Sequence, residues 1–122
     1  MTTILIVEDQ PMNLKLVETI LSSNGYDFIS AESGEEGVVA ASQRAVDLIL
    51  MDLQMPGIDG FEATRQIRGL AGYQSTPIIA VSGNTTEADV KRTAEQGFTG
   101  FLKKPFKIDE LLAVLTEHLA ST

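Results

Sequence analysis

A chain of 122 residues without a single cysteine is expected to form one compact domain, because two half-length domains would each lack a sizeable core unless stapled by disulfides or metals. Hydrophobic residues make up 43% and charged residues 21%, an ordinary globular balance that excludes a disordered or fibrous chain. The net charge of −8, from 17 acidic and 9 basic side chains, argues against direct nucleic-acid binding, and no apolar run approaches the ~20 residues needed to cross a bilayer, so a soluble, cytoplasmic protein that binds neither nucleic acid nor membrane is expected.

In chain order, Met1-Thr2-Thr3 has no basic segment or cleavage site and leads straight into the first apolar run, Ile4 to Val7. Asn13 to Ser23 places Leu14, Val17, Ile20 and Leu21 at helical spacing and stops at Asn24-Gly25, a left-handed helix terminator. Phe28 to Ala31 is a second, weaker strand. Ser33, with Glu36 three residues on, reads as a capping box opening a helix through Val38, Val39 and Ala41, although Gly37 weakens it. Leu48 to Met51 is the third apolar run, and the turn Pro56-Gly57-Ile58-Asp59-Gly60 introduces a helix over Phe61 to Leu70. Gly69 to Thr76 reads as a plain loop into the fourth run, Ile78 to Val81. Thr86 to Gln96 is a helix with a hydroxyl cap, Asp89 three places on and Gly97 at its end. A short fifth run, Phe101 to Leu102, precedes Pro105 and a last helix over Ile108 to Leu119.

Short apolar, β-branched runs alternating with amphipathic stretches are the pattern of a parallel sheet covered by helices. The first, third and fourth runs are apolar throughout and belong inside the sheet, while the second and fifth belong toward its edges. Right-handed crossovers put helices on both faces, and ligands of such sheets bind at the carboxyl ends of the strands. Those ends carry Glu8-Asp9, Asp52, Ser82 and Lys104. Three carboxylates brought together repel unless a cation lies among them. With no histidine or cysteine in the set, the cation is a hard one, and Mg2+ fits better than zinc. A carboxylate can attack phosphorus to give an acyl phosphate, and Lys104 and the Ser82 hydroxyl are partners for a phosphoryl group on Asp52.

The stretches Ile4-Leu5-Ile6-Val7-Glu8-Asp9, Leu48 through Gly60, Ile79-Ala80-Val81-Ser82-Gly83 and Phe101-Leu102-Lys103-Lys104-Pro105-Phe106 together resemble response-regulator receiver domains, the CheY-like superfamily of two-component signalling, over essentially the whole chain. The resemblance implies a single α/β domain over residues 1–122, with no output domain. Its fold would be (βα)5 doubly wound, with a five-stranded parallel sheet of order 2-1-3-4-5. It implies that Asp52 is the phosphoacceptor and that Glu8 and Asp9 hold magnesium, Asp9 more directly, with the backbone carbonyl of Gln54 as a further ligand. Ser82 would be the switch hydroxyl, Phe101 the aromatic that changes rotamer with it, and Lys104 the phosphate partner preceding a cis Pro105. Gln54 and Asn84, two residues beyond Asp52 and Ser82, flank the path of the water that would hydrolyse the phosphoryl group. The partners implied are a histidine kinase or histidine phosphotransfer protein and a downstream protein target, with a second copy of the chain on phosphorylation as a further option.

Three departures stand out. Many relatives have two aspartates where this chain has Glu8-Asp9, a change expected to alter metal affinity without abolishing it. Phe101 lacks the hydroxyl of a tyrosine switch, which loosens coupling. Lys103 beside Lys104 makes the register ambiguous; Lys104 is chosen because it precedes the proline, and Lys103 should face the other way.

Each residue also has a plainer reading. Asp9 before Pro11 and Asn13 is as readily a turn former or cap, Ser82 a strand terminator and Lys104 a solvated charge; only their joint position at the strand ends outweighs this. Asp52 directly after a buried strand is harder to excuse. Phe61, Phe98 and Phe106 read as packing residues, and His118 as solvent-facing. The competing functions are a phosphate-independent docking module, a receiver belonging to a hybrid histidine kinase, a flavodoxin-like cofactor binder and an aspartyl phosphatase. Glu8-Asp9 would repel a flavin phosphate, and Asp52-Leu53-Gln54 lacks the second acid a phosphatase uses to protonate its leaving group.

Overall fold

The computed structural model describes residues 2–83 and 86–119. The elements run β1 (Thr3–Val7), α1 (Pro11–Ser23), β2 (Asp27–Ala31), α2 (Gly34–Gln43), β3 (Leu48–Asp52), α3 (Gly60–Arg68), β4 (Ile78–Ser82), α4 (Glu87–Glu95), β5 (Gly100–Lys103) and α5 (Ile108–Leu119). The five strands are parallel in the order β2-β1-β3-β4-β5, so the (βα)5 doubly wound architecture and the two edge strands are as expected. β1, β3 and β4 are buried from end to end, whereas β2 is mostly half-buried.

Alternation along the strands divides the core into two layers. Leu5, Val7, Ile49, Met51, Ile78 and Ala80 face Ala41 of α2 and Ala63 and Ile67 of α3. Ile4, Ile6, Leu48, Leu50, Ile79, Val81 and Leu102 face Leu14, Val17, Ile20 and Leu21 of α1 and Leu111 and Leu115 of α5. At ~25 cal/mol per Å² of apolar surface, each fully buried aliphatic side chain contributes about 1.5–3 kcal/mol.

The boundaries shift where backbone chemistry decides them. α1 starts at Pro11, two residues before the predicted start, since proline at the first helical position gives up an N–H that would have no helical partner. Gln10 is its N-cap and makes no side-chain capping bond, so Asp9 is not the cap. Ser33 Oγ accepts the Glu36 N–H at 3.1 Å, as the capping box requires, but the Glu36 carboxylate accepts from the Glu32 N–H at 2.8 Å instead of from Ser33. α3 ends at Arg68, where the Gly69 N–H donates to the last carbonyls.

One expectation is corrected, that for His118, and one is extended. The segment Gly69 to Thr76 is the expected helix-to-strand loop, but it is tied into the fold by side chains. Its Tyr73 is buried and donates its hydroxyl to Arg44 O at 2.9 Å while accepting the Val46 N–H at 3.3 Å. Arg68 donates to the carbonyls of Tyr73 and Thr76 at 2.7 and 2.6 Å. His118 is half-buried instead of solvent-facing: its Nδ1 lies 2.9 Å from Val114 O, and its ring lies over Gly100, where a Cβ would stand 3.0 Å from Cε1. None of the described helices is long and apolar enough to cross a membrane.

Candidate phosphoacceptor site

Each residue of the predicted cluster lies where a strand of the sheet runs out. Glu8 follows β1, Asp52 ends β3, Ser82 ends β4 and Lys104 follows β5. Glu8, Asp52 and Ser82 are buried and Asp9 and Lys104 half-buried. Asp52 continues the side of β3 that carries Leu48 and Leu50, so its carboxylate emerges at the top of the layer shared with α1 and α5.

Carboxylate oxygens of Glu8, Asp9 and Asp52 all lie within 4.8 Å of one another. The Lys104 ammonium reaches into this group, donating to Glu8 Oε1 at 2.8 Å and to Asp52 Oδ2 at 3.2 Å. Backbone donors take the remaining oxygens: the Gln54 N–H donates to Asp52 Oδ1 at 3.0 Å and the Gln10 N–H to Glu8 Oε2 at 3.1 Å. The Lys104 N–H donates to Ser82 O at 2.9 Å, tying the end of β5 to β4. The Lys104-Pro105 bond is cis, and Lys103 is exposed beside it.

Burial is the largest influence on Glu8 and pushes its carboxyl above the ordinary value. The Lys104 hydrogen bond opposes that push, and the neighbouring Asp52 adds to it. Burial also works against the Lys104 ammonium, but its hydrogen bond to Glu8 and the charges of Asp52 and Glu8 outweigh it and hold the group above its ordinary value.

The donor set fits a small hard cation. All three side chains offer oxygen within a spread comparable to the roughly 4.2 Å between opposite ligands of an octahedral ion with bonds of about 2.1 Å, and such an ion fills its remaining positions with other oxygens such as water.

The loop after β3 is built tightly against the acid. Gly57 has φ +82°, a conformation that glycine adopts freely. At Gly60 a Cβ would lie 2.4 Å from the carbonyl oxygen of Asp52, so only glycine allows α3 to start directly against the end of β3. Gln54, two residues past Asp52, is exposed. Phe101 on β5 is half-buried and packs against the layer formed with α2 and α3. Asn84 lies outside the described residues. A cavity of about 310 Å³ opens beside the acids between α1 and the β5–α5 connection, walled by Leu16, Val17, Leu102, Phe106 and Leu111.

The structure brings Glu8, Asp9, Asp52 and Lys104 together, with Ser82 at the end of the neighbouring strand β4. Sequence reasoning placed these residues at the strand ends. It missed the direct Glu8–Lys104 pair, the two backbone N–H groups on the acids and the contact of Gly60 with Asp52. The signal for the last was available, since Asp59-Gly60 at the start of α3 pairs an N-cap with a residue of poor helix propensity.

Known proteins resemble this chain in sequence and fold. The family model for the response regulator receiver domain matches residues 4–116. Protein PilH of Pseudomonas aeruginosa is 37% identical over 120 residues, covering 98% of this chain and 99% of its own. Among solved structures, chemotaxis protein CheY4 of Vibrio cholerae superposes with a TM-score of 0.94 at 31% identity, over 98% of this chain and 99% of that one. The receiver domain of sensor histidine kinase PA1611 from Pseudomonas aeruginosa, described with a magnesium ion coordinated in the active site cleft, gives a TM-score of 0.91 at 37% identity over 98% of both chains.

Proposed function

Because the chain belongs to the response regulator receiver domain family of two-component signalling, we propose that it is a phosphoacceptor that takes a phosphoryl group from a phosphohistidine onto Asp52. Receiver domains are signalling modules and not enzymes turning over a free substrate; the catalysis proposed here is of the chain's own phosphorylation and slow dephosphorylation, carried by residues 1–122 as one receiver unit.

The observation that carries this reading is the environment of Asp52: a buried carboxylate with one oxygen on the Gln54 N–H, the other on Lys104, and two further acids within 4.8 Å. A carboxylate oxygen of Asp52 attacks phosphorus in line, a P–O bond forms as the P–N bond to the histidine breaks, and the imidazole leaves with a proton. Glu8, Asp9, Asp52 and the Gln54 carbonyl would hold Mg2+, which when bound neutralises charge on the phosphoryl oxygens. Lys104 donates to a phosphoryl oxygen, exchanging a contact with carboxylate for one with phosphate. Ser82 follows Val81, the residue paired with Asp52 across β3 and β4, and its hydroxyl would move toward the phosphoryl group to donate to it. That movement repacks Phe101, and the repacked surface signals to a downstream protein. The donor is a histidine kinase or histidine phosphotransfer protein.

Incubation with acetyl phosphate, with and without Mg2+, followed by intact mass, tests the reading. Wild type should gain one phosphoryl group only with Mg2+, and Asp52→Ala should gain none; a well-folded wild type that takes no adduct would overturn it. Followed over time, the same adduct should decay at an altered rate in Gln54→Ala and Asn84→Ala if those amides hold or block the hydrolytic water; unchanged decay rules out that role.

A further inference from the structure

The loop from Leu53 to Asp59 is held at both ends by the site and its neighbours. At its start the Gln54 N–H donates to Asp52 Oδ1 at 3.0 Å and the Leu53 N–H to Val81 O at 3.2 Å. At its end the Gly60 N–H donates back to Leu53 O at 3.2 Å, and Asp59 caps α3 by accepting the Glu62 N–H at 2.9 Å. The crown of the loop, Gly57-Ile58, rests on a different element, the first turn of α2. Gly34 lies buried beneath Ile58, where a Cβ would stand 2.7 Å from Ile58 Cγ1 and 2.9 Å from Ile58 O. Beside it the Glu35 carboxylate accepts the Ile58 N–H at 3.4 Å and lies against Gly57, where a Cβ would stand 2.6 Å from Oε2 and 3.1 Å from Oε1.

An acid in the first turn of a helix is favoured by the helix dipole, and Glu35 is exposed. The dipole accounts for the residue type, but not for a side chain that reaches across to the neighbouring loop. Between Gln54, held by its N–H on Asp52, and the crown, held by α2, stand only Met55 and Pro56. Met55 is buried and, preceding a proline, is restricted to extended backbone, while Pro56 has its φ fixed by the ring. With so little torsional freedom in the two residues between them, the position of the crown determines how the Gln54–Met55 peptide, and with it the Gln54 carbonyl, is turned.

We propose that Glu35 is a positioning residue for the phosphoacceptor site: with Gly34 it clamps the crown of the loop, and the clamp sets the direction in which Gln54 offers its carbonyl to Mg2+. The inference rests on the receiver reading for the role of that carbonyl, whereas the clamp is a contact of the metal-free protein. One exposed hydrogen bond of this length shifts an equilibrium by about two- to fivefold.

Two measurements separate the clamp from the reading it rests on. Without metal, Glu35→Ala should speed hydrogen exchange of the Ile58 amide by about two- to fivefold, while Glu35→Gln, which keeps an oxygen acceptor of the same reach, should stay nearer to wild type. An unchanged rate in Glu35→Ala, or an equal rise in both variants, overturns the clamp. Second, in a calorimetric titration with Mg2+ alone, at about 0.15 M salt to screen distant charge, Glu35→Ala should bind about two- to fivefold more weakly and Glu35→Gln should recover most of the loss. A merely structural role would leave Mg2+ affinity unmoved, and loss of the glutamate charge alone would weaken both variants equally; either result overturns the link to the site. If wild type binds no Mg2+, the metal-dependent receiver reading fails and the link with it, while the Ile58 exchange still decides the clamp.

Discussion

The two ends of the β-sheet solve opposite problems with similar residues. At the carboxyl end, Glu8, Asp9 and Asp52 crowd around a single half-buried ammonium, Lys104. At the amino end, Arg68 spends its donors on neutral acceptors, the carbonyls of Tyr73, Thr76 and Gly97 and the hydroxyl of Thr99. Beside it Thr99 Oγ1 accepts the Ile78 N–H at 3.1 Å and Asp47 accepts the Thr3 N–H at 2.8 Å. These bonds at the amino end join α3, β4 and the α4–β5 turn. Among the described residues the carboxyl end gathers three carboxyl groups of the kind that could hold a metal ion around that one ammonium. Hydrogen bonds to neutral acceptors dominate one end of the sheet, and the proposed phosphoacceptor lies at the other.

The largest expected effects come from exchanging those roles by mutation. Asp52→Asn keeps the shape of the side chain and relieves like-charge crowding, so it should abolish acetyl phosphate labelling while unfolding in urea, without metal, at a midpoint no lower than that of wild type. Arg68→Ala should do the reverse. It leaves three backbone carbonyls and a hydroxyl without their charged donor, at a cost of roughly 2 kcal/mol of stability, and should still label at Asp52 with Mg2+ at low temperature. A strongly destabilised Asp52→Asn, or an Arg68→Ala as stable as wild type, would remove the division between the two ends.

The same contrast explains what could be read from the amino acids. Strands of a parallel sheet buried on both faces are continuous apolar runs, so β1, β3 and β4 were visible without knowing their neighbours, and α5 carries enough leucine at helical spacing to define itself. Asp52 was visible because a charge ending a buried strand demands a reason. Arg68 and Tyr73 were not, because an arginine ending a helix and a tyrosine in a polar loop look like ordinary surface until the chain brings Gly97 and Arg44 to them. Gly37 shows how a local rule misleads. By propensity it weakens α2, yet a Cβ there would stand 2.8 Å from Val7 Cγ2, so the packing of α2 on β1 sets the residue and the propensity loss is secondary.

The smallest expected effect tests the carboxyl end alone. Glu8 titrates in the folded protein above its ordinary value of 4.5, chiefly because it is buried. For an acid, a raised folded value means the folded state binds the proton more tightly than the unfolded state does. The associated stability is complete below pH 4.5 and is lost as pH rises through the folded value. Lys104, held above 10.5, stays charged throughout that window and does not reverse the sign. Glu8→Gln cannot ionise and escapes the loss. Without metal, its stability relative to wild type should therefore improve as pH rises from 4.5 toward neutrality, and urea unfolding across that range reads the difference directly. Saturating Mg2+ should shrink the advantage, because a cation that binds the ionised glutamate stabilises wild type more than the variant. A pH-independent difference would mean that Lys104 already balances Glu8, leaving the crowding at this end to Asp9 and Asp52.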